Sequence, residues 1–417
     1  MKLRITALSP IAILATLFFV FGFVTWLNGT LIPFLQLVCD LSTFQAMLVT
    51  FAFYVSYFVM AYPSSIILER ISYKNGMASG LFIMAVGSLI FIPAAFEKSY
   101  FIFLLGLFTQ GTGLCLLQTA SNPYIVVLGS NETAARRIAI MGLFNKFAGV
   151  ISPIILGTIA LGGADEIKTR MLAADNIGRA ILQGELAHRI ISPYLVIAVG
   201  LFALGLLIVS SSLPEIEDSN IQVDHAKSNR LRDFPQLTFG FWAIFFGVAV
   251  EVVAGDTIAM YGKSLGMSLD VTRFFTSATL VCMMGGYTLG IVFVPTKIDQ
   301  LKALKLSAIA GAFLSVGIIF MPGAASIACV ALLGLANAML WPSIFPLALN
   351  GVGEKTKKAS AILVMGIIGG ALIPSTYAAM AGVIGDRFAY ALLIPMYGYL
   401  FLYSKLRCHR NAHARAV

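Results

Sequence analysis

Three ionisable side chains lie inside long apolar stretches of this sequence. Glu251 and Asp256 fall within the apolar run 241–261, and Lys146 falls within the run 137–160. In the middle of a bilayer a carboxylate costs roughly 2.5–3.5 kcal/mol on insertion scales, so it is retained only opposite a partner, a water-filled cavity or a transported species. The chemistry that these residues offer is therefore ion pairing, cation binding or proton exchange.

The two acids and the lysine leave one formal negative charge when all three are ionised. Lys146 can pair with either acid as a structural salt bridge, and the other acid can then bind Na⁺ or exchange a proton. We expect Asp256 to be the more cavity-facing acid and the Na⁺ candidate, because the neighbouring Gly255 permits a break in the helix. Glu251 is retained as a second candidate for ion coupling.

Five amides and one indole form a second group of candidates. Carboxamides both donate and accept hydrogen bonds, which suits a ligand rich in hydroxyl groups. An indole face suits the apolar face of a sugar ring. For any single amide the alternative is a hydrogen bond between helices, worth about 0.6 kcal/mol. The predicted substrate-binding residues, with two of the charged residues included, are Asn28, Gln118, Asn122, Asn145, Lys146, Glu251, Asn337 and Trp341.

Composition places these residues in a helical membrane protein. Hydrophobic residues make up 59% of the 417-residue chain, charged residues make up 11%, and the mean hydropathy is +0.90. A soluble protein carries about 25% charged residues. The five cysteines have no metal-binding spacing, and the four histidines fall in loops or the tail. We therefore expect no enzyme and no cofactor apart from a coupling ion.

The hydropathy pattern predicts about twelve transmembrane spans. Their approximate bounds are 10–37, 44–66, 76–96, 100–128, 137–160, 191–212, 236–262, 271–294, 303–322, 325–349, 359–384 and 388–404. The polar insert after the sixth span divides the chain into a first half (1–212), a cytoplasmic linker (213–235) and a second half with a short cytoplasmic tail (236–417). The insert 162–190 has the spacing of a short interfacial helix, with a ligand lid as the alternative.

Basic residues are divided unevenly between alternate loops. About 19 of the 28 Lys and Arg residues fall on the side that carries both termini. The positive-inside rule places that side in the cytoplasm. This distribution accounts for the net charge of +9, so we expect no nucleic-acid partner.

Three short segments recur in the two halves. Residues 28–30 resemble 255–257, residues 122–125 resemble 341–344, and residues 149–153 resemble 370–374, at offsets of 227, 219 and 221. Similar offsets in the same direction indicate a parallel repeat about an axis along the membrane normal. Alternating-access transporters use this arrangement to rock one half against the other. Glycine and proline at matching depths predict interruptions in spans 1, 4, 5, 10 and 11.

The loop after the second span carries a degenerate form of a known signature. Residues 65–74 resemble the major facilitator loop signature, with Ser65 in place of its first glycine and with its second glycine lost. Glu69 and Arg70 keep the charge pair that latches the inward gate in that signature, and we predict a gating role for both. With the repeat, this resemblance predicts an all-α membrane protein of the major facilitator fold, with two six-helix halves related by a pseudo-two-fold axis.

Four further segments resemble the fucose:proton symporter family, and within it the bacterial glucose/galactose permease branch. They are 21–33, 114–129, 144–153 and 250–257. The resemblance implies sugar bound between the halves and ion-coupled uptake across the bacterial inner membrane. Where the family has a first-span acid and a fourth-span glutamate, this sequence has Gly29 and Gln118, so the family's proton coupling cannot be transferred. Some members of the branch are sodium-dependent, and carboxylates with amide oxygens suit a hard cation.

These observations predict a secondary active transporter for an aldohexose of the glucose, galactose or mannose type. We expect coupling to Na⁺, and a monomer in the lipid bilayer with both termini in the cytoplasm. Proton-coupled symport and uncoupled uniport are the alternatives for the mechanism. A drug or peptide exporter would have a larger apolar cavity with fewer amides. A transporter-like receptor that senses sugar is the alternative from a different functional class.

Overall fold

The computed structural model describes residues 10–211, 213, 235–352 and 355–415. This part of the chain is helical and contains no β-strand. The predicted linker 213–235 lies outside the described residues except for its two end residues. The helices of the first half are α1 (Pro10–Trp26), α2 (Asn28–Val38), α3 (Thr43–Arg70), α4 (Tyr73–Glu97), α5 (Tyr100–Val127), α6 (Ala134–Leu161), α7 (Ala164–Ala173), α8 (Asn176–His188) and α9 (Ile191–Ser210).

The second half repeats this pattern of long helices joined by short turns. Its helices are α10 (Pro235–Asp256), α11 (Ile258–Ser264), α12 (Leu269–Thr272), α13 (Phe275–Phe293), α14 (Gln300–Phe320), α15 (Gly323–Asn337), α16 (Leu340–Leu349), α17 (Thr356–Met365), α18 (Gly369–Ile384), α19 (Asp386–Ala389) and α20 (Leu393–Arg415). Three-residue 3₁₀ turns at Asn131–Thr133, Gly366–Ile368 and Tyr390–Leu392 complete the described structure.

Polar caps fix where several long helices begin. Ser42 accepts a hydrogen bond from the Gln45 backbone, and the Gln45 side chain accepts one from the Ser42 backbone, which forms a capping box before α3. Ser72 caps α4 and Asp299 caps α14 in the same way, each by accepting from a backbone N–H three residues later. Because the first N–H groups of a helix lack backbone acceptors, these caps stabilise the first turn of each helix.

Eleven stretches of the described helices are long and apolar enough to cross a membrane. They correspond to the first eleven predicted spans. The twelfth predicted span, 388–404, is covered mostly by α20, which is not among the eleven and which carries Lys405, Arg407 and Arg410 near its end. A multi-pass helical protein is therefore the architecture, as predicted.

Two groups of helix contacts account for most of the packing between the halves. Helix α6 of the first half packs along α13 of the second, and α3 packs along α17 and α18. Within each half the remaining spans pack on one another, for example α4 on α5 and α9, and α14 on α15 and α20. The space between the α6–α13 and α3–α18 contacts is where side chains of both halves face each other.

Four spans are interrupted away from the first residues of the span. The first breaks at Leu27, the seventh at Thr257, the tenth at 338–339 and the eleventh at the 3₁₀ turn Gly366–Ile368. The predicted interruptions of spans 4 and 5 are wrong, because α5 and α6 continue through Pro123 and Pro153. A single proline removes one helical hydrogen bond, and neighbouring helices can hold the backbone in place around it.

The insert 162–190 forms two helices, α7 and α8, where one was predicted. Leu182 and Leu186 are buried, while Leu172, Ile177 and Ile181 are exposed. We call the membrane side that carries α7 and α8 the hairpin side, and the opposite side, where α1 begins, the terminal side.

Candidate functional site

A cavity of about 690 Å³, counted with the solvent at its mouth, lies between the two halves. Its walls combine aromatic rings, amides and one pair of charges. The lining residues are Phe18, Phe21, Thr25, Trp26, Tyr54, Tyr57, Gln118, Asn122, Ile138, Gly142, Asn145, Lys146, Val248, Glu251, Val252, Tyr287, Trp341 and Ile367. The cavity thus brings together six of the eight predicted substrate-binding residues.

An ion pair crosses the cavity from one half to the other. Lys146 Nζ on α6 lies 2.5 Å from Glu251 Oε1 on α10, with the two side chains 7% and 15% exposed. The same ammonium group lies 4.3 Å from the centre of the Trp26 ring, a cation–π contact. Lys146 therefore pairs with Glu251 and not with Asp256, a choice that the sequence left open.

The cavity amides differ in how much of their hydrogen-bonding capacity the protein already uses. Asn145 Oδ1 accepts a hydrogen bond from Trp26 Nε1 at 3.4 Å, and its Nδ2 donates to the Phe18 carbonyl at 3.3 Å. Gln118 Nε2 donates to the Tyr57 hydroxyl at 3.1 Å. Asn122 Nδ2 is buried without a partner among the described residues. Because a buried donor without a partner is costly, Asn122 is the amide best prepared to donate to a ligand.

Two predicted binding amides lie away from the cavity. Asn337 accepts a hydrogen bond from the Tyr397 hydroxyl at 2.6 Å and donates to the Val250 carbonyl at 3.3 Å. It therefore joins α15 to α20 and α10, which is the structural alternative considered for each amide. Asn28 is buried outside the cavity lining, and its Nδ2 has no partner among the described residues.

The expectation that Asp256 is the more cavity-facing acid is wrong in this structure. Glu251 lines the cavity, whereas Asp256 is 3% exposed and lies outside the lining. The helix does break beside it, at Thr257, but the carboxylate turns towards α3 and accepts a hydrogen bond from Thr50 at 3.0 Å. No lysine, arginine or histidine among the described residues forms an ion pair with Asp256.

Oxygen ligands for a cation are few at this acid. No group of three or more His, Cys, Asp or Glu side chains is assembled in the described part of the chain. The Asp256 carboxylate and the Thr50 hydroxyl supply oxygen atoms of the type that a hard cation prefers.

Sequence reasoning missed most of the aromatic residues of the site, together with Thr25 and several apolar residues of the lining. Trp26 and Thr25 lie close to the recurring segment 28–30, and this position could have identified them as candidate site residues. Tyr54 and Tyr57 lie three residues apart on α3, in a stretch that contains no recurring segment and gave no such signal. Their rings stack with centroids 6.1 Å apart and form a wall beside Gln118.

The predicted gating residues lie at the terminal side. Glu69, at the end of α3, pairs with Lys358 of α17 at 2.9 Å, so this ion pair joins the halves. Both side chains are about half exposed, at 44% and 41%. Arg70 forms no ion pair within the described ranges, so the ion pair that joins the halves at Glu69 does not include Arg70.

The comparisons with known proteins agree over nearly the whole chain. The "Glucose/galactose transporter" of Brucella abortus biovar 1 (strain 9-941) is 31% identical over 397 residues, 94% of this chain and 92% of that protein. The "L-fucose-proton symporter" of Escherichia coli (strain K12) is 28% identical over 419 residues, 95% of this chain and 93% of that protein.

Among solved structures, the fold is similar to a crystal structure of the transporter FucP in the outward conformation. The TM-score is 0.79 at 26% sequence identity, covering 96% of this chain and 99% of that one. The sequence profile of the Major Facilitator Superfamily matches residues 14–374. With its two joined halves of spanning helices and a cavity between them, the chain belongs to the Major Facilitator Superfamily.

Proposed function

We propose that this protein is a secondary transporter that moves an aldohexose across the membrane by alternating access. The observation that carries the proposal is the cavity between the halves, with amides, an ion pair and aromatic rings on its walls. This mixture fits a ligand that has hydroxyl groups at its rim and an apolar ring face. The names of the relatives from Brucella and Escherichia support a sugar as the substrate.

Each wall of the cavity has a distinct proposed task. Gln118, Asn122, Lys146 and Glu251 bind the hydroxyl groups, and Trp341 contacts the apolar face of the sugar. Lys146 can donate and Glu251 can accept without breaking their pairing, so a neutral sugar does not leave either charge uncompensated. A glucose, galactose or mannose type of hexose is the proposed class. Asn28 and Asn337, outside the lining, are proposed to support helix packing.

We assign ion coupling to Asp256 and propose Na⁺ as the coupling ion. Lys146 compensates Glu251, whereas Asp256 is buried with only a hydroxyl partner. A buried carboxylate without a cation is costly, so this position favours uptake of one positive charge. Proton coupling is the second candidate, favoured by the similarity to the L-fucose-proton symporter of Escherichia coli. Uncoupled uniport would leave the burial of Asp256 unexplained.

The terminal side is proposed to face the cytoplasm of a bacterium, with the protein in the inner membrane as a monomer. The excess of Lys and Arg on that side supports this orientation. The hairpin side, with α7 and α8, then faces outwards. In this orientation the Glu69–Lys358 pair closes the cytoplasmic side.

Counterflow of labelled glucose, galactose, mannose and fucose in proteoliposomes tests the proposal. We expect exchange of at least one aldohexose, and accumulation when a Na⁺ gradient is imposed at equal pH on both sides. Asp256→Asn should keep the exchange and lose the accumulation. Accumulation that follows a pH gradient and ignores Na⁺ would replace Na⁺ by H⁺. Absence of counterflow for all four sugars would refute the hexose assignment.

A further inference from the structure

Trp26 contacts the proposed sugar site directly. Its indole Nε1 donates to Asn145 Oδ1 at 3.4 Å, and its ring centre lies 4.3 Å from Lys146 Nζ. Asn145 and Lys146 are consecutive residues of α6 and both line the cavity. Any ligand that binds this part of the wall therefore acts on the position of the indole.

The same indole lies against the backbone of both halves. A Cβ atom built at Gly255 of α10 would lie 2.5 Å from Trp26 Cζ3, and one built at Gly149 of α6 would lie 2.5 Å from Trp26 Cδ1. Real Cβ atoms essentially never approach another atom closer than 3.0 Å. Close contact of α1 with α10 therefore requires glycine at position 255.

A second contact between the halves adjoins the first. Asp256 follows Gly255 and accepts the hydrogen bond from Thr50 of α3. Asp256 and Thr50 are buried, with exposed fractions of 3% and 0%. On the path of α10 both Gly255 and Asp256 lie nearer the hairpin side than Glu251. The two contacts therefore close the cavity towards the hairpin side.

Both partners of the indole contact lie where their helices end. Trp26 is the last residue of α1, before the break at Leu27, and Gly255 is next to the last residue of α10, before the break at Thr257. Backbone angles at the ends of helices can change without a shift of the whole span, as hinge residues do. The contact can therefore form and separate locally.

We infer that Trp26 is the residue through which sugar binding closes the hairpin side. The identity of the ligand in this inference rests on the proposed function. Sugar hydroxyl groups on Asn145 and Lys146 stabilise the contact of the indole with Gly255 and the adjoining Thr50–Asp256 hydrogen bond, both of which the structure contains. Trp26 is thus a positioning residue. Its loss impairs closure of the hairpin side more than it lowers the affinity for sugar.

The test measures closure and affinity separately. Spin labels on Glu97→Cys and Val383→Cys, at the hairpin-side ends of α4 and α18, report the distance between the halves after the native cysteines are replaced. Labels on Arg136→Cys and Lys302→Cys report the terminal side. Each pair is measured without sugar and with saturating glucose or galactose, and calorimetry in detergent gives the affinity.

In the otherwise native protein we expect sugar to shorten the hairpin-side distance. Trp26→Ala should lose this shortening while sugar affinity falls by less than about tenfold, the loss of one good contact. Gly255→Ala should lengthen the hairpin-side distance without sugar, because its Cβ displaces the indole. Matched controls are Trp242→Ala, an exposed indole, and Gly285→Ala, which has no atom within 4 Å of the added Cβ.

Each outcome decides a separate part of the inference. Full shortening in Trp26→Ala would overturn the role of the indole, and native distances in Gly255→Ala would overturn the closing contact. Counterflow without any sugar-induced shortening would refute the inference and leave the proposed function intact. Absence of counterflow, with the hairpin side opened by Gly255→Ala, would refute the hexose and support the closing contact.

Discussion

The two acids of the seventh span have different partners. Lys146 pairs with Glu251, whereas the described partner of Asp256 is a hydroxyl group. The Lys146–Glu251 pair is largely buried and joins the halves, whereas among the described residues Asp256 accepts a hydrogen bond only from Thr50. Removing one member of a buried pair is costlier than removing both, because the remaining charge loses its partner and cannot regain full hydration. The two acids should therefore respond differently to neutral substitution.

Lys146→Ala should destabilise the protein by roughly 3 kcal/mol, the lower end of the cost of breaking a buried pair, because Glu251 is reached by cavity water. Thermal unfolding in detergent measures the change. The double substitution Lys146→Met with Glu251→Gln should regain most of the lost stability. Equal stability of Lys146→Ala and the native protein would mean that the pair contributes nothing to the fold.

Asn122→Ala should weaken sugar binding several-fold and leave the unfolding temperature unchanged, because its Nδ2 has no hydrogen-bond partner to lose among the residues that the structure describes. Asn145→Ala should weaken binding and also lower the unfolding temperature, since its amide bonds Trp26 and the Phe18 carbonyl. Asn337→Ala is the matched control: it should lower the unfolding temperature alone. Calorimetry and thermal unfolding are measured on all three, and an Asn122 variant with native affinity would exclude Asn122 from the sugar site.

At the scale of helices, the positions of the breaks decide which residues reach the cavity. Hydropathy predicted the spans because lipid offers no partners for backbone groups, so each span must be a helix. Hydropathy did not predict how each helix is rotated about its own axis. Asn337 and Trp341 are four residues apart, a spacing that predicts a shared face, but the break at 338–339 separates α15 from α16. Only Trp341 lines the cavity.

The contact between α3 and α17 predicts how the terminal side responds to charge. Glu69→Gln should change the transport rate more than Arg70→Ala does, because Glu69 alone pairs with Lys358 across the halves. The effect should be modest, since an exposed pair contributes about 0–1 kcal/mol. Counterflow rate and sugar affinity are measured together. The charge exchange Glu69→Lys with Lys358→Glu should restore the rate, and a loss of affinity instead of rate would contradict a gating role.

At the scale of the whole molecule, the family, the helical class and the repeat were all accessible from the sequence. Segments 122–125 and 341–344 were matched as repeats, and the structure places Asn122 and Trp341 on the same cavity. The choice of Glu251 as the partner of Lys146 could not be predicted, because the two residues are 105 positions apart in the sequence. Whether these two residues meet depends on how the halves pack together. Neither hydrophobic periodicity nor residue spacing predicts that packing.

The orientation of the whole molecule gives a further prediction. Glu185→Cys, on the hairpin side, should react with a membrane-impermeant maleimide in intact cells, because the positive-inside rule places the hairpin side outside. Lys302→Cys, on the terminal side, should react only after the cells are opened. Both side chains are exposed in the structure. The reverse pattern of labelling would invert the proposed topology.

The uneven compensation of charge also has an electrical consequence. With Lys146 paired to Glu251, the cavity adds no net charge to the moving part of the protein, and in the proposed mechanism Asp256 sets the net charge that crosses the field. On that proposal, a carrier loaded with one Na⁺ and a sugar would move as a neutral unit, whereas the empty carrier would return with one negative charge. A charge that crosses 100 mV gains or loses about 2.3 kcal/mol. An inside-negative voltage would therefore speed the return of the empty carrier and leave the loaded step unaffected.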